Sequence, residues 1–156
     1  MRLYLVQHGK AAPEELDPRR PLTAEGRAAV ARVAGFLKPL GLRVEALWHS
    51  GKLRAEQTAQ LLAEAVACPG GPARRDGLGP NDPVGPIRSE LERHGGELMI
   101  VGHLPMLGRL ASLLLTGREE ADVVAFRNGG VVCLGREAAG KWRVEWAVVP
   151  ELLPGN

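Results

Sequence analysis

Cysteine is scarce in this sequence, which has only Cys68 and Cys133 among its 156 residues. The two residues form no CxxC pair and are too few for a disulfide framework, so we expect reduced core thiols. Long apolar runs are also missing, since none approaches the ~18 residues that a membrane-spanning helix requires. The N-terminus lacks the apolar stretch that marks a signal peptide. We therefore expect a cytoplasmic protein with no membrane partner.

The sequence also has little excess of positive over negative charge. The formal net charge is +2 at pH 7, which gives no support for nucleic-acid or membrane binding. Arginine far outnumbers lysine; this excess suits phosphate recognition, although coding bias or thermal adaptation also explains it. The sequence contains no Walker loop, no GxSxG or HExxH motif and no glycosidase-like pair of carboxylates. The length predicts a single domain, residues 1–156.

Apolar segments alternate with amphipathic ones along most of the chain. Helices are predicted after a cap at Thr23, over Lys52–Ala67, after a cap at Asp82-Pro83 and from Pro105 to Gly117. The segment 74–82 leaves room for one short strand. The other predicted strands are Leu3–Val6, Val44–Trp48, Leu98–Val101, Val123–Phe126, Gly130–Leu134 and Trp142–Val149.

The order of these elements predicts an α/β fold. Alternating strands and helices favour a three-layer sandwich, in which a mostly parallel central sheet is flanked by helices. The last strands follow one another without helices between them. We therefore expect the C-terminal strands to join an edge of the sheet in a partly antiparallel arrangement.

Polar side chains follow three of the predicted strands. Gln7 and His8 follow the first strand, Ser50 follows the second, and His103 comes just after 98–101. Ligands of open α/β sheets bind beyond the carboxyl ends of the strands. Arg54 lies in the first turn of the next helix, where a helix N-terminus favours anions. Together these residues predict a pocket for an anion.

Each of these residues also has a plainer explanation when it is taken alone. A histidine at a strand end is more often structural, Arg54 fits a solvated helix residue, and His103 fits a helix cap. Their convergence supports the functional hypothesis. A metal hydrolase built on His8, His49 and His103 is disfavoured, because zinc ligands usually have tighter spacing and carboxylate partners.

Four segments taken together resemble the histidine phosphatase superfamily. They are Leu5-Val6-Gln7-His8-Gly9, Arg20-Pro21-Leu22-Thr23 with Gly26, the run SGKLRAEQT from Ser50 to Thr58, and Gly102-His103-Leu104-Pro105. The LRAEQT and HLP motifs, in a chain this short, resemble the small SixA-type phosphohistidine phosphatases. The resemblance implies a phosphoglycerate mutase-like fold and the removal of phosphoryl groups from phosphohistidine in a protein, without metal or cofactor.

The resemblance also implies the roles of the site residues. His8 is the nucleophile and becomes phosphorylated, while Arg54, His103 and position 7 hold phosphoryl oxygens. Arg20 and Ser50 lie at or near the pocket. A neutral imidazole is a competent nucleophile near pH 7. Arg54 and a protonated His103 would stabilise the charge of the phosphoryl group in transfer.

Two residues depart from the family pattern. Gln7 stands where the family has arginine, and exchanging a charged donor for a neutral one loses about 1 kcal/mol, or roughly tenfold in rate. Gly51 stands where the family has proline, which costs rigidity rather than chemistry. Gln7 therefore leaves three readings open: a full enzyme, a weakened one, and a phosphate- or phosphoprotein-binding module with little turnover.

The general acid of larger family members has no assigned residue here. Asp82 and Glu56 are candidates, but Asp82 also fits a helix cap and Glu56 an ordinary first-turn acid. A phosphohistidine substrate relaxes the need, because imidazole leaves more easily than an alkoxide. A small-molecule phosphomonoesterase, which requires a working acid, stays open as an alternative. The expected partners are therefore a phosphorylated protein or a small phosphate ester, and phosphate-like anions.

Overall fold

A six-stranded sheet runs through the middle of the computed structural model, which describes residues 1–155. The strands are β1 (Arg2–Gln7), β2 (Ala46–His49), β3 (Pro72–Arg74), β4 (Leu98–Gly102), β5 (Val131–Arg136) and β6 (Trp142–Val148). Their order across the sheet is β3-β2-β4-β1-β5-β6. The first four strands in that order pair in parallel, and β5 and β6 pair antiparallel. The predicted mixed sheet with antiparallel C-terminal strands is confirmed.

Four helices cover the two faces of the sheet. They are α1 (Ala24–Leu37), α2 (Leu53–Leu62), α3 (Gly85–Arg93) and α4 (Met106–Thr116). The buried residues of α1 and α2 share one core cluster with alternate residues of β1, and those of α3 and α4 share a second cluster on the opposite face. This division gives the three layers that the sequence predicts. Among residues 1–155, no helix has the length and apolar character needed to cross a membrane.

Local sequence explains where two of these helices begin and end. The Thr23 side chain accepts a hydrogen bond from the Gly26 N–H at 2.9 Å, which caps α1 as predicted. Gly117 follows α4 with φ of 81°, a left-handed conformation that glycine adopts without strain.

The central position of β1 determines the place of the site. Residues 3–6 of β1 are completely buried between its neighbours β4 and β5. The register pairs Gln7 with Gly102 and His49 with Val101, so β1, β2 and β4 end at the same edge of the sheet. The residues that follow these three strands, His8, Ser50 and His103, therefore emerge side by side.

Three predicted elements differ in the structure. The second helix ends at Leu62 rather than Ala67. Residues 123–126 form no strand, because the chain there runs along α4 and meets the sheet only at the following turn, where the Gly129 N–H donates to the Gln7 carbonyl. Asp82 does not cap α3, which begins at Gly85 after Val84; its carboxylate accepts the Gly79 N–H instead.

Candidate active site

His8 lies immediately beyond β1 with its ring half-buried. Its Nδ1 lies 2.7 Å from the carbonyl oxygen of Gly9. A carbonyl oxygen can only accept a hydrogen bond, so the proton of the neutral ring is on Nδ1. The Nε2 atom therefore carries a free lone pair, which is what a nucleophilic histidine requires.

The environment of His8 keeps the ring neutral. Burial lowers the pKa of His8 to about 4, and the positive charges of Arg54 and Arg20 act in the same direction. The hydrogen bond to the Gly9 carbonyl opposes this shift. At pH 7 the free protein thus presents an unprotonated Nε2.

Hydrogen bonds from two other elements hold the backbone around His8. The Gly9 N–H donates to Thr58 Oγ1 at 2.9 Å, and the Thr58 hydroxyl donates to the Arg54 carbonyl at 2.7 Å. The Asn128 side chain donates to the His8 carbonyl at 3.0 Å. Thr58 is completely buried, so this linkage ties α2 rigidly to the histidine loop.

His103, beyond β4, faces His8 across the site. The two ring centroids are 4.9 Å apart, and His103 is only 2% exposed. Its Nε2 is hydrogen-bonded to Ser50 Oγ at 2.6 Å. The structure thus brings together the residues that follow three different strands, as the sequence predicts.

The protonated His103 expected during phosphoryl transfer is not the form present in the free protein. The pKa of His103 is lowered to about 3, mainly by burial and to a smaller extent by the electrostatic effects of His8, Arg54, Lys52 and Arg20. The ring is therefore neutral at pH 7. A bound anion would raise the pKa, because a nearby negative charge favours the imidazolium form.

Arg54 and Arg20 supply the positive charge of the site. Arg54 lies in the first turn of α2, and burial together with the charge of Arg20 lowers its pKa. Arg20 has a φ of 49°, and its Nε donates to the Ala12 carbonyl at 3.0 Å. Both guanidinium groups act electrostatically on both histidines, so Arg20 lies near the pocket as expected.

Three buried polar atoms of the site have no hydrogen-bond partner within residues 1–155: Gln7 Oε1, Arg54 Nε and His103 Nδ1. Buried polar groups are normally paired. Tyr4, Arg32 and Ser112 also carry such atoms, so unpaired buried polar groups are not confined to the site. The Gln7 side chain takes part in this group although it carries no charge.

The remaining predicted residues, His49, Glu56 and Asp82, lie at the edge of the site. His49 is buried, its Nδ1 accepts the Gly51 N–H at 3.1 Å, and burial lowers its pKa. Glu56 lies on α2 near enough to His49 to oppose that shift. Asp82 lines a groove that begins at Ser50, with its carboxylate turned to the Gly79 N–H at 2.7 Å. Within residues 1–155, no three His, Cys, Asp or Glu side chains are grouped as metal ligands.

Thr58 and Asn128 are the supporting residues that the sequence reasoning missed. Thr58 closes the SGKLRAEQT segment, so its place in that motif was an available signal. Asn128 could be read only as part of a turn. No local signal indicated that this turn lies against His8.

Comparison with known proteins points to the same family that the sequence motifs resemble. The family model described as the histidine phosphatase superfamily (branch 1) matches residues 3–75. An uncharacterized protein of Picosynechococcus sp. is 36% identical over 143 residues, which cover 83% of this chain and 86% of that protein. The phosphohistidine phosphatase SixA of Escherichia coli is 26% identical over 155 residues, covering 96% of this chain and 94% of that protein.

Solved structures show the same fold. The protein histidine phosphatase SixA in complex with tungstate has a TM-score of 0.84 at 25% identity, covering 96% of this chain and 97% of that one. A SixA structure from Agrobacterium tumefaciens has a TM-score of 0.76 at 22% identity, with 96% and 97% covered. The chain therefore belongs to the histidine phosphatase superfamily, and it is similar to SixA proteins over almost its whole length.

Proposed function

We propose that this protein removes the phosphoryl group from phosphohistidine in a protein, through a covalent phosphohistidine on His8. One observation carries the proposal: the Gly9 carbonyl fixes the His8 proton on Nδ1, at 2.7 Å, beside two arginines and a second histidine. A free imidazole nitrogen next to fixed positive charge is the combination that phosphoryl transfer to histidine requires.

The first half-reaction transfers the phosphoryl group to His8. The Nε2 lone pair attacks phosphorus while the bond from phosphorus to the substrate imidazole nitrogen breaks. The substrate ring carries a proton on its other nitrogen, so it takes the bonding pair and leaves as neutral imidazole. Arg54 and Arg20 stabilise the equatorial oxygens, whose charge is spread in the transition state. His103, held by Ser50 at 2.6 Å, gains a proton as the dianion enters and becomes a third cationic donor.

The second half-reaction returns the enzyme to its starting state. Water attacks the phosphoryl group on His8, the bond between phosphorus and Nε2 breaks, and inorganic phosphate leaves. The residues of the pocket supply positive charge and orientation throughout. We therefore propose that the reaction needs no metal ion and no cofactor.

Phosphohistidine suits this site better than an alkyl ester. An ester needs a carboxylic acid to protonate the leaving alkoxide, but the Asp82 carboxylate accepts the Gly79 N–H at 2.7 Å. Imidazole leaves without such help, because its conjugate acid has an unperturbed pKa near 6.5. A groove of about 590 Å³ begins at Ser50 and is open to solvent. An open groove accommodates the chain of a protein substrate.

The test is acid-labile labelling with a substrate panel. We expect rapid hydrolysis of a phosphohistidine-containing protein, slow hydrolysis of sugar phosphates and full activity in EDTA. Label from a radioactive phosphoryl donor should be trapped on His8 and absent from His8→Ala. The matched variant His94→Ala, at the end of α3, should be labelled like wild type.

Other outcomes would assign a different function. Undiminished labelling of His8→Ala would exclude the covalent mechanism. Preferential hydrolysis of small esters would favour a phosphomonoesterase. Tungstate binding without any hydrolysis would favour a phosphate-binding module.

A further inference from the structure

A polar groove adjoins the proposed catalytic pocket and carries residues that the mechanism does not use. Its lining includes Ser50, Lys52, Arg74, Asp76 and Asp82, and its volume is about 590 Å³. Ser50 belongs to both, because its hydroxyl is hydrogen-bonded to His103 at 2.6 Å. A substrate segment that extends from the phosphoryl group past Ser50 would therefore lie along this groove.

The sheet places Arg74 at the wall of this groove. Arg74 ends β3, and the parallel register pairs it with His49, the last residue of β2. The Arg74 side chain thus leaves the same edge of the sheet as His8 and His103. It lies close enough to His49 for its charge to lower the pKa of that ring.

The departure from the family pattern at position 51 makes this placement sterically feasible. Gly51 has a φ of 91°, and a Cβ added there would lie 2.8 Å from Arg74 Nε and 2.9 Å from Arg74 Cδ. Such distances are well inside van der Waals contact. The Arg74 side chain therefore crosses directly over the Gly51 backbone, next to Ser50, where a larger residue would displace it.

Lys52 adds a second positive charge to the lining of this groove. Its side chain is exposed, and its charge helps to lower the pKa of His103. The groove also contains the carboxylates of Asp76 and Asp82, but their contacts with the positive side chains are weak. Asp76 lies 3.5 Å from Arg74 Nε, and their side chains are 92% and 71% exposed. Asp82 is turned to the Gly79 N–H.

We propose that Arg74 and Lys52 bind a carboxylate of the substrate protein close to its phosphohistidine, and so select phosphohistidines in acidic sequences. This inference rests on the proposed function. An acidic residue of the substrate would displace the weak Arg74–Asp76 contact and gain two cations of the groove lining. Electrostatic complementarity of this kind contributes to specificity more than to intrinsic rate.

The experiment compares two phosphohistidine peptides. One carries Glu within about three residues on either side of the phosphohistidine, and its partner carries Gln at the same positions. We expect wild type to prefer the Glu peptide through a lower KM. Arg74→Ala should reduce this preference about twofold to fivefold, the range for an exposed ion pair. Arg74→Ala with Lys52→Ala should abolish it, and rising ionic strength should weaken it.

Gly51→Ala tests the crossing of Arg74 over the backbone. The new methyl group should displace Arg74 and lower the preference as Arg74→Ala does, with no further loss when the two changes are combined. Gly140→Ala is the matched control. Gly140 also has a φ of 91°, but no atom lies within 4 Å of an added Cβ. The Gly140→Ala variant therefore has the same backbone strain without a steric clash, and it should keep the wild-type preference for the Glu peptide.

The outcomes separate this inference from the proposed function. Hydrolysis of neither peptide by wild type would refute the proposed function. Equal hydrolysis of both peptides, or a preference that survives the double substitution, would overturn the inference alone. A loss of preference in Gly140→Ala equal to that in Gly51→Ala would also overturn it.

Discussion

His8 and His103 have the most strongly lowered histidine pKa values and make the stability of the free protein depend on pH, and His49, whose pKa burial also lowers, acts in the same direction. The pKa values of His8 and His103 fall from 6.5 in an unperturbed histidine to about 4 and about 3 in the folded protein. As the pH drops below 6.5, the unfolded chain binds protons at these residues while the folded protein does not. Proton binding therefore lowers the free energy of the unfolded state relative to the folded state, and stability is lost from about pH 6.5 downward.

The magnitude follows from the same values. Between about pH 7.5 and about pH 5.5, a histidine that titrates only when unfolded lowers the free energy of unfolding by ~1.4 kcal/mol. His103 is 2% exposed and should contribute this amount fully. His8 is half-buried, so its share is smaller because of solvent screening. We expect a total loss of about 1.4–2.8 kcal/mol, or ~3–10 °C in Tm.

Urea unfolding at the two pH values measures this loss. His103→Asn removes one titrating group, so its stability should fall by ~1.4 kcal/mol less than that of wild type over the same interval. Saturating phosphate should flatten the dependence, because an anion raises the pKa of both rings. A wild-type stability that stays constant from about pH 7.5 to 5.5 would refute the reasoning, as would an equal loss in His103→Asn.

Three substitutions test other contacts. Gln7→Arg should raise kcat/KM up to roughly tenfold, by adding a charged donor to the phosphoryl site; an unchanged or lower value would show that the glutamine is not a weakened substitute. Ser50→Ala removes the 2.6 Å contact with His103 and should lower kcat about fivefold to tenfold in steady-state assays, whereas Ser50→Thr should retain most activity. Thr58→Val leaves the Gly9 N–H without its partner and should cost about 1–3 kcal/mol in urea unfolding; Thr58→Ser is the control, and equal losses in both would contradict the hydrogen-bond argument.

The sequence allows the main part of the site to be predicted because its signals are local. A buried apolar run that ends in a polar residue marks a strand end, and parallel strand ends meet at one edge of a sheet. This reasoning was sufficient to bring His8, Ser50 and His103 together. The alternation of strands and helices along the chain likewise predicted the three layers.

The parts that could not be predicted depend on contacts between distant segments. The Asn128 side chain reaches the His8 carbonyl at 3.0 Å across 120 residues of sequence. Asp82 before Pro83 is a sound helix cap by local criteria, yet the carboxylate turns to Gly79. The protonation state of His103 likewise depends on burial and on charges from three other segments, which no local pattern reveals.

The positive charges of the site give a physical reason for a neutral residue at position 7. The free site already holds Arg54 and Arg20 close enough to depress the pKa of both histidines. A third arginine at position 7 would bind the phosphoryl group more strongly, but it would also repel these cations whenever no anion is bound. We expect the neutral amide to avoid that repulsion, so Gln7→Arg should lower the free energy of unfolding of the ligand-free protein. We therefore expect an arginine at position 7 to favour phosphoryl transfer and Gln7 to favour the free protein, whereas Arg74 and Lys52, in our proposal, act on the substrate protein rather than on the phosphoryl group.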